Sequence, residues 1–173
     1  ALDEAISLQP DYYDAFLFRN LVYRVIGNFE ESLRAASQAV AIAPERPDGY
    51  LNRALTYLEM KDYAKALADV EETLKYSPNN PEAFVVAGLV HEKLKDWDKM
   101  SDDYTKAIDN AAIAPGVIGN ALMQRGVAWF QLGEYELAKL DFEQATSYGG
   151  GQGGESNRWR GYVYAIQGDY IRA

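Results

Sequence analysis

Apolar and polar residues follow one another with the period of amphipathic helices, and the helices come in pairs. In residues 47–80, two helix-like halves of about fourteen residues are joined at Lys61-Asp62 and closed by Ser77-Pro78-Asn79-Asn80. Small and aromatic residues occupy the positions where two antiparallel helices would touch, namely Tyr50, Ala54, Tyr57, Tyr63, Ala66 and Val70. Alanine lets two backbones approach, and rings fill the space beside it. This stretch therefore predicts a helical hairpin, made of a first and a second helix.

The hairpin pattern recurs along the chain. A ring late in the first helix falls at Tyr23, Tyr57, His91, Trp129 and Tyr164. A ring that opens the second helix falls at Phe29, Tyr63, Trp97, Tyr135 and Tyr170. Both series have spacings of 34, 34, 38 and 35 residues. Small residues late in the second helix recur in step at Ala5, Ala39, Thr73, Ala107 and Ala145. A fixed period of this length is typical of solenoid arrays.

These aromatic, small and proline positions resemble those of the tetratricopeptide repeat (TPR) family, whose signature has 34 residues. The resemblance covers essentially the whole chain and implies an all-α, right-handed α-solenoid of antiparallel helix pairs. It divides the chain as one array into half a repeat at 1–10, complete repeats at 13–46, 47–80, 81–114 and 119–152, and a partial repeat at 155–173. Because neither end has a polar capping face, we expect a fragment of a longer array.

Several segments depart from the family pattern. Asn20 replaces the usual glycine, and Ser32 and Met100 replace the usual alanine. Residues 112–119 add four residues between the third and fourth repeats, and they either lengthen a helix or form a small apolar loop. The glycine run at 149–154 is interpreted as a surface turn, because no strand precedes it and no Gly-Lys-Ser/Thr follows it.

The charge of the chain limits its partners. It has 26 acidic and 17 basic residues and a net charge of −9. Nucleic acid and anionic membrane surfaces are therefore not expected to bind, and no apolar run approaches the roughly 18 residues of a membrane span. Without cysteine there are no disulfides or thiolate metal sites, and the compartment stays open.

No residue pattern indicates catalysis, a metal or a cofactor. His91 is the only histidine, and we interpret it as a packing ring because other repeats have Tyr or Trp at its position. Adjacent carboxylates such as Asp102 and Asp103 point about 100° apart on a helix, which is poor geometry for acid–base chemistry. No Gly-x-Ser-x-Gly motif is present. We expect a protein that is not an enzyme and that needs no cofactor.

Arginine recurs where the family more often has leucine, at Arg19, Arg53, Arg125 and Arg160. In the second and fourth repeats an aspartate follows sixteen residues later, as Asp69 and Asp141. Folding of each hairpin should bring the partners together as a bidentate pair between the helices. The alternative is an arginine exposed on a polar face.

The resemblance also implies where a ligand binds, because the first helices line the concave groove of TPR arrays. The implied lining residues are Leu17, Phe18, Leu21, Leu51, Asn52, Leu55, Val85, Val86, Leu89, Met123, Gln124, Val127, Phe130, Trp159 and Tyr162. Thirteen of these fifteen are apolar or aromatic. Since periodic apolar residues also form the core between repeats, we expect about half of them to belong to it.

One binding mode of the family is disfavoured. TPR co-chaperones that hold the acidic tail of heat-shock chaperones use lysine, asparagine and arginine on successive first helices. Asn52 matches one such asparagine, but the partner positions hold Leu17, Leu21, Glu82 and Val86.

The leading interpretation is a protein–protein interaction scaffold that binds a peptide or helix in its groove. Two alternatives stay open. The array is a docking or regulatory segment of a larger enzyme or secretion or assembly machine, or it is a self-assembling structural array. Weak self-association through the truncated ends is also expected.

Overall fold

The computed structural model describes residues 13–110, 115–150 and 154–169. Within these ranges it contains nine α-helices and no strand. The helices are α1 Tyr13–Val25, α2 Phe29–Ile42, α3 Pro47–Glu59, α4 Tyr63–Tyr76, α5 Pro81–Leu94, α6 Trp97–Asp109, α7 Pro115–Leu132, α8 Tyr135–Ser147 and α9 Glu155–Ile166. The predicted all-α class of paired helices is confirmed. The expected half repeat at 1–10 and the second helix from Tyr170 lie outside the described residues.

The turns inside the hairpins are set by local sequence. A residue with left-handed backbone ends each turn, with φ of 77° at Gly27, 62° at Lys61, 58° at Lys95 and 82° at Gly133. The next side chain caps the second helix in three hairpins by accepting a backbone N–H bond, from Glu31 to Asn28, from Lys65 to Asp62 and from Lys99 to Asp96. Such caps satisfy donors that a helix start leaves open.

Two compact units divide the chain, at 1–86 and 87–173, and the boundary falls inside α5. In the first unit α1 packs against α2 and α3, and α3 also packs against α2 and α4. Tyr13, Ala15, Phe16 and Ala39 form one of its buried clusters.

A buried polar network joins three helices of the first unit. Asn20 Nδ2 lies 2.8 Å from Ser32 Oγ and 2.9 Å from Thr56 Oγ1. The two hydroxyl oxygens are 3.0 Å apart. All three residues are fully buried, so the replacements of the usual glycine and alanine are matched by hydrogen bonds as well as by size.

In the second unit α6 packs against α7, α7 against α8, and α9 against both α7 and α8. Glycines let rings lie directly on the helix backbone. A Cβ at Gly88 would lie 2.8 Å from Tyr104 Cε2, and one at Gly126 would lie 2.6 Å from Phe142 Cε1. Met100 is fully buried in α6 where sister repeats have a smaller residue.

The extra residues before the fourth repeat lengthen a helix. Helix α7 begins at Pro115 and has 18 residues, whereas α5 has 14. Near the start of α7, Gly119 packs against Gly150. A Cβ added to Gly150 would lie 2.1 Å from the carbonyl carbon of Gly119. The surface-turn interpretation of the glycine run is therefore wrong for Gly150, which is buried, although Gly149 and Gly154 are exposed. None of the helices described is both long and apolar enough to cross a membrane.

Candidate functional site

The two predicted arginine–aspartate pairs are present. Arg53 donates from Nε and Nη2 to the two oxygens of Asp69, both at 2.7 Å. Arg125 does the same to Asp141, both at 2.8 Å. The carboxylates are buried and the guanidinium groups keep about a fifth of their exposure. Hydrogen bonding to the carboxylate raises the pKa of each arginine. The alternative of an exposed arginine is wrong for these two repeats.

Arg125 also reaches the preceding hairpin. Its Nη1 donates to Thr105 Oγ1 at 3.2 Å, so the pair ties α7 to both α6 and α8. In the first repeat, where Ala35 stands at the aspartate position, Arg19 Nη2 lies 3.3 Å from Glu31 Oε2 instead.

In the third repeat the buried aspartate has a different partner. Asp103 is equivalent to Asp69 and Asp141, but Ala87 stands where they have arginine. His91 Nδ1 lies 2.6 Å from Asp103 Oδ2, and both residues are buried. An ionised carboxylate only accepts hydrogen bonds, so Nδ1 is the donor. Burial raises the pKa of the Asp103 carboxyl, and the bond from His91 opposes that rise.

The interpretation of His91 as a packing ring is therefore incomplete. It lies at the ring position of the repeat and is also the partner of a buried carboxylate. The sequence already indicates that Asp103 needs another partner. By the repeat period Asp103 is equivalent to Asp69 and Asp141, but the position of their arginines is occupied by Ala87. Among the described residues, no group of three or more His, Asp or Glu could hold a metal ion.

The proposed lining residues of the first unit differ in exposure. Leu51 and Val86 are buried, whereas Phe18 and Leu21 are exposed. Partial burial is found at Leu17, Asn52, Leu55 and Val85. Asn52 Nδ2 donates to Asp48 O of its own helix at 2.9 Å. The one asparagine that matches the carboxylate clamp therefore already has an acceptor.

The lining residues of the second unit include a group of aromatic rings. Trp159 stacks on the buried Phe142 with 6.1 Å between ring centroids. Its edge-to-face contacts are with Phe130 at 5.1 Å and with Tyr162 at 5.7 Å. Tyr162 is 57% exposed. The ring contacts therefore connect the buried Phe142 through Trp159 to the exposed Tyr162.

About half of the fifteen lining residues do belong to the core. Leu51, Val86 and Met123 are buried. Four more pack against buried clusters, namely Leu17, Val127, Phe130 and Trp159. The others, which include Leu89 and Gln124, keep accessible surface on the first helices.

Comparison with known proteins identifies the repeat. Two family models described as tetratricopeptide repeat match residues 47–80 and 119–148. Among solved structures, pilF of Pseudomonas aeruginosa has a TM-score of 0.85 at 18% identity, covering 99% of this chain and 76% of that chain. MamA has 0.76 at 17%, covering 92% and 84%. YrrB, described as a TPR protein with an unusual peptide-binding site, has 0.75 at 17%, covering 99% and 86%. Such identities show the fold alone. No curated protein matches the sequence significantly.

Proposed function

Because this chain belongs to the tetratricopeptide repeat family, we propose that it is a protein–protein interaction scaffold whose first helices bind a peptide or helical segment of a partner. TPR proteins are typically scaffolds rather than enzymes, and the proposal gives this chain no catalytic role. A docking segment of a larger enzyme or assembly machine has the same role within a longer chain. The complete reading frame would distinguish the two.

The ring group of Phe130, Trp159 and Tyr162 supports this proposal most strongly. Trp159 is held on the core by Phe142, and Tyr162 leans on Trp159 while more than half of it is exposed. Rigid aromatic side chains lose little conformational entropy when they bind, and they dominate the energy of many interfaces. This surface therefore suits an apolar anchor of a ligand.

The starts of the first helices suggest the charge of the ligand. Four of them carry an acidic residue in the first turn, namely Asp14, Asp48, Glu82 and Glu155. In the second unit, Glu155 lies in the first turn of the helix that carries Trp159 and Tyr162, so a basic residue beside the apolar anchor would complement it and would act on association rate and selectivity. The proposed ligand is thus an amphipathic helix or extended segment with apolar anchors and some basic residues.

A peptide-array screen followed by a salt titration tests the proposal. Apolar burial should dominate the affinity, so binding should fall only modestly at 1 M salt, where the Debye length is about 3 Å. Tyr162→Glu should weaken the best peptide at least about tenfold by removing an exposed anchor. Tyr76→Glu is the matched control, since Tyr76 is also a half-exposed tyrosine in contact with one ring, that of Tyr50, but lies on a second helix. A preference for acidic peptides without apolar anchors would refute the proposal, as would equal effects of the two variants.

A further inference from the structure

Helix α8 and the residue after it expose an apolar stripe on a second helix. Leu137, Leu140 and Tyr148 are 45%, 49% and 45% exposed. Together with the exposed Gln144 they are spaced three, four and four residues apart, so they follow one face over a length of about 16 Å. None of these residues belongs to the first-helix surface described above.

The repeat architecture does not require apolar residues there. The equivalent residues of α6 are all polar, namely Lys99, Asp102, Lys106 and Asn110. Those of α2 are Glu31, Arg34, Gln38 and Ile42. Both helices are followed by another hairpin and still leave most of these positions exposed. A following hairpin therefore does not cover the face, and stacking of repeats does not explain the leucines.

Acidic residues follow one edge of the stripe. Glu136 and Glu143 are seven residues apart and both exposed, so they lie on the same side of α8, next to Leu140. Lys139 is the only basic residue of α8, and it is paired with Glu136. Asp141 points to the other side and is neutralised by Arg125. Because Lys139 pairs with Glu136, which also accepts a hydrogen bond from Gln167 Nε2 at 2.7 Å, Glu143 supplies the net negative charge of this edge.

We propose that the α8 stripe, formed by Leu137, Leu140 and Tyr148, is a second docking surface that binds an amphipathic helix of a protein partner with lysine or arginine along one edge. Burial of the leucines and the tyrosine supplies affinity, and the basic edge pairs with Glu143. A straight helix matches a stripe that follows a helix axis. A second copy of this chain fits less well, because it would bring an identical acidic edge and a further net charge of −9.

The test uses two synthetic helical peptides of about 18 residues, long enough to cover the stripe at 1.5 Å per residue. They share one leucine face and differ in one edge, which is lysine in one peptide and glutamate in the other. We expect the lysine peptide to bind the full chain more tightly in fluorescence anisotropy. Leu137→Lys with Leu140→Asp, which installs the residues of α6, should weaken it about tenfold or more. Tyr162→Glu, which alters the first-helix surface, should leave this binding unchanged. That contrast separates failure of this inference from failure of the proposed function.

Charge reversal provides an independent check that leaves the leucines in place. Glu136→Lys with Glu143→Lys should weaken the lysine peptide and strengthen the glutamate peptide. Equal affinity of the two peptides, or no response to either double variant, would overturn the proposal. It would also be overturned if the leucine variant instead abolished self-association in sedimentation or binding to vesicles containing phosphatidylserine.

Discussion

At the residue scale, the buried aspartate that recurs in three repeats has two kinds of hydrogen-bond partner. Asp69 and Asp141 each face a guanidinium that donates two hydrogen bonds, whereas Asp103 receives one bond from an imidazole. A buried carboxylate without a donor is costly. The guanidinium fork fixes the relative position of two helices more firmly than a single contact does.

Removing the carboxylate of the fourth repeat should reveal the importance of this pair. Asp141→Ala leaves Arg125 partly buried without its main partner, so we expect a loss of about 2–4 kcal/mol in the free energy of unfolding. Arg125→Leu combined with Asp141→Ala should recover much of it. Thermal and denaturant melts measure both. Glu72→Ala, which breaks an exposed pair with Lys75, is the control and should change stability by less than about 0.5 kcal/mol. A similarly small effect of Asp141→Ala would contradict the prediction.

The His91–Asp103 pair gives a prediction that depends on pH. His91→Phe keeps the ring and removes the donor, which should cost about 1–3 kcal/mol at neutral pH. Adding Ala87→Arg restores the arrangement of the second and fourth repeats and should recover stability.

The sign of the pH dependence follows from burial. Burial raises the pKa of Asp103 above its usual value of 3.8. A protonated Asp103 therefore contributes fully to the free energy of unfolding below pH 3.8. This contribution is lost as the pH rises through the pKa of Asp103 in the folded state. Loss of His91 raises this pKa further. The difference between His91→Phe and the wild type should thus shrink as the pH falls toward about 4. A difference that is constant with pH would show that the carboxylate is not the cause.

At the scale of the elements, the helices of a hairpin compensate for each other in size. In each complete repeat, the position at which the family usually has glycine is matched by the residue sixteen positions later. These pairs are Asn20 with Ala36, Ala54 with Val70, Gly88 with Tyr104, and Gly126 with Phe142. The smallest residues oppose the largest rings, and the rings of Tyr104 and Phe142 lie against the glycines. This compensation keeps the spacing between helices compatible with one repeat.

Substitutions at Gly126 and Phe142 test this compensation in size. Gly126→Ala places a methyl group 2.6 Å from Phe142 Cε1, and overpacking of this kind costs about 1–3 kcal/mol. That cost should outweigh the roughly 1 kcal/mol that alanine gains in helix propensity. Gly126→Ala with Phe142→Val, which copies Ala54 and Val70, should be more stable than Phe142→Val alone. If the added alanine is equally harmful in both backgrounds, the two positions are not coupled.

At the scale of the whole molecule, α1 exposes an apolar residue at a position that is buried in the other first helices. Val22 is 38% exposed, while its equivalents Thr56, Val90, Ala128 and Val163 are fully buried. Phe18 and Val25 extend the exposed face of α1. Contiguous apolar surface of this kind marks a contact with another protein or another copy.

We expect weak self-association through this face of α1. It should appear as a concentration-dependent mass in sedimentation equilibrium and decrease with Phe18→Asn and Val25→Glu, which install the residues of α3. Contact between this face on two copies is isologous and closes as a dimer, so the mass should level off at that of two chains. A strictly monomeric chain at high concentration would exclude it.

The sequence alone determines the hairpins, the class of fold and the two bidentate pairs. Helix periodicity assigns each residue to a face, and one tight turn brings positions sixteen residues apart together, so Arg53 meets Asp69 without knowledge of other helices. The sequence predicted that about half of the fifteen first-helix residues belong to the core, but not which ones, because the same apolar period describes both core and surface. The tertiary structure alone decides that Asn20 reaches Thr56 and that Gly150 lies on Gly119. These contacts depend on the distance and angle between helices, and the packing of whole side chains sets both.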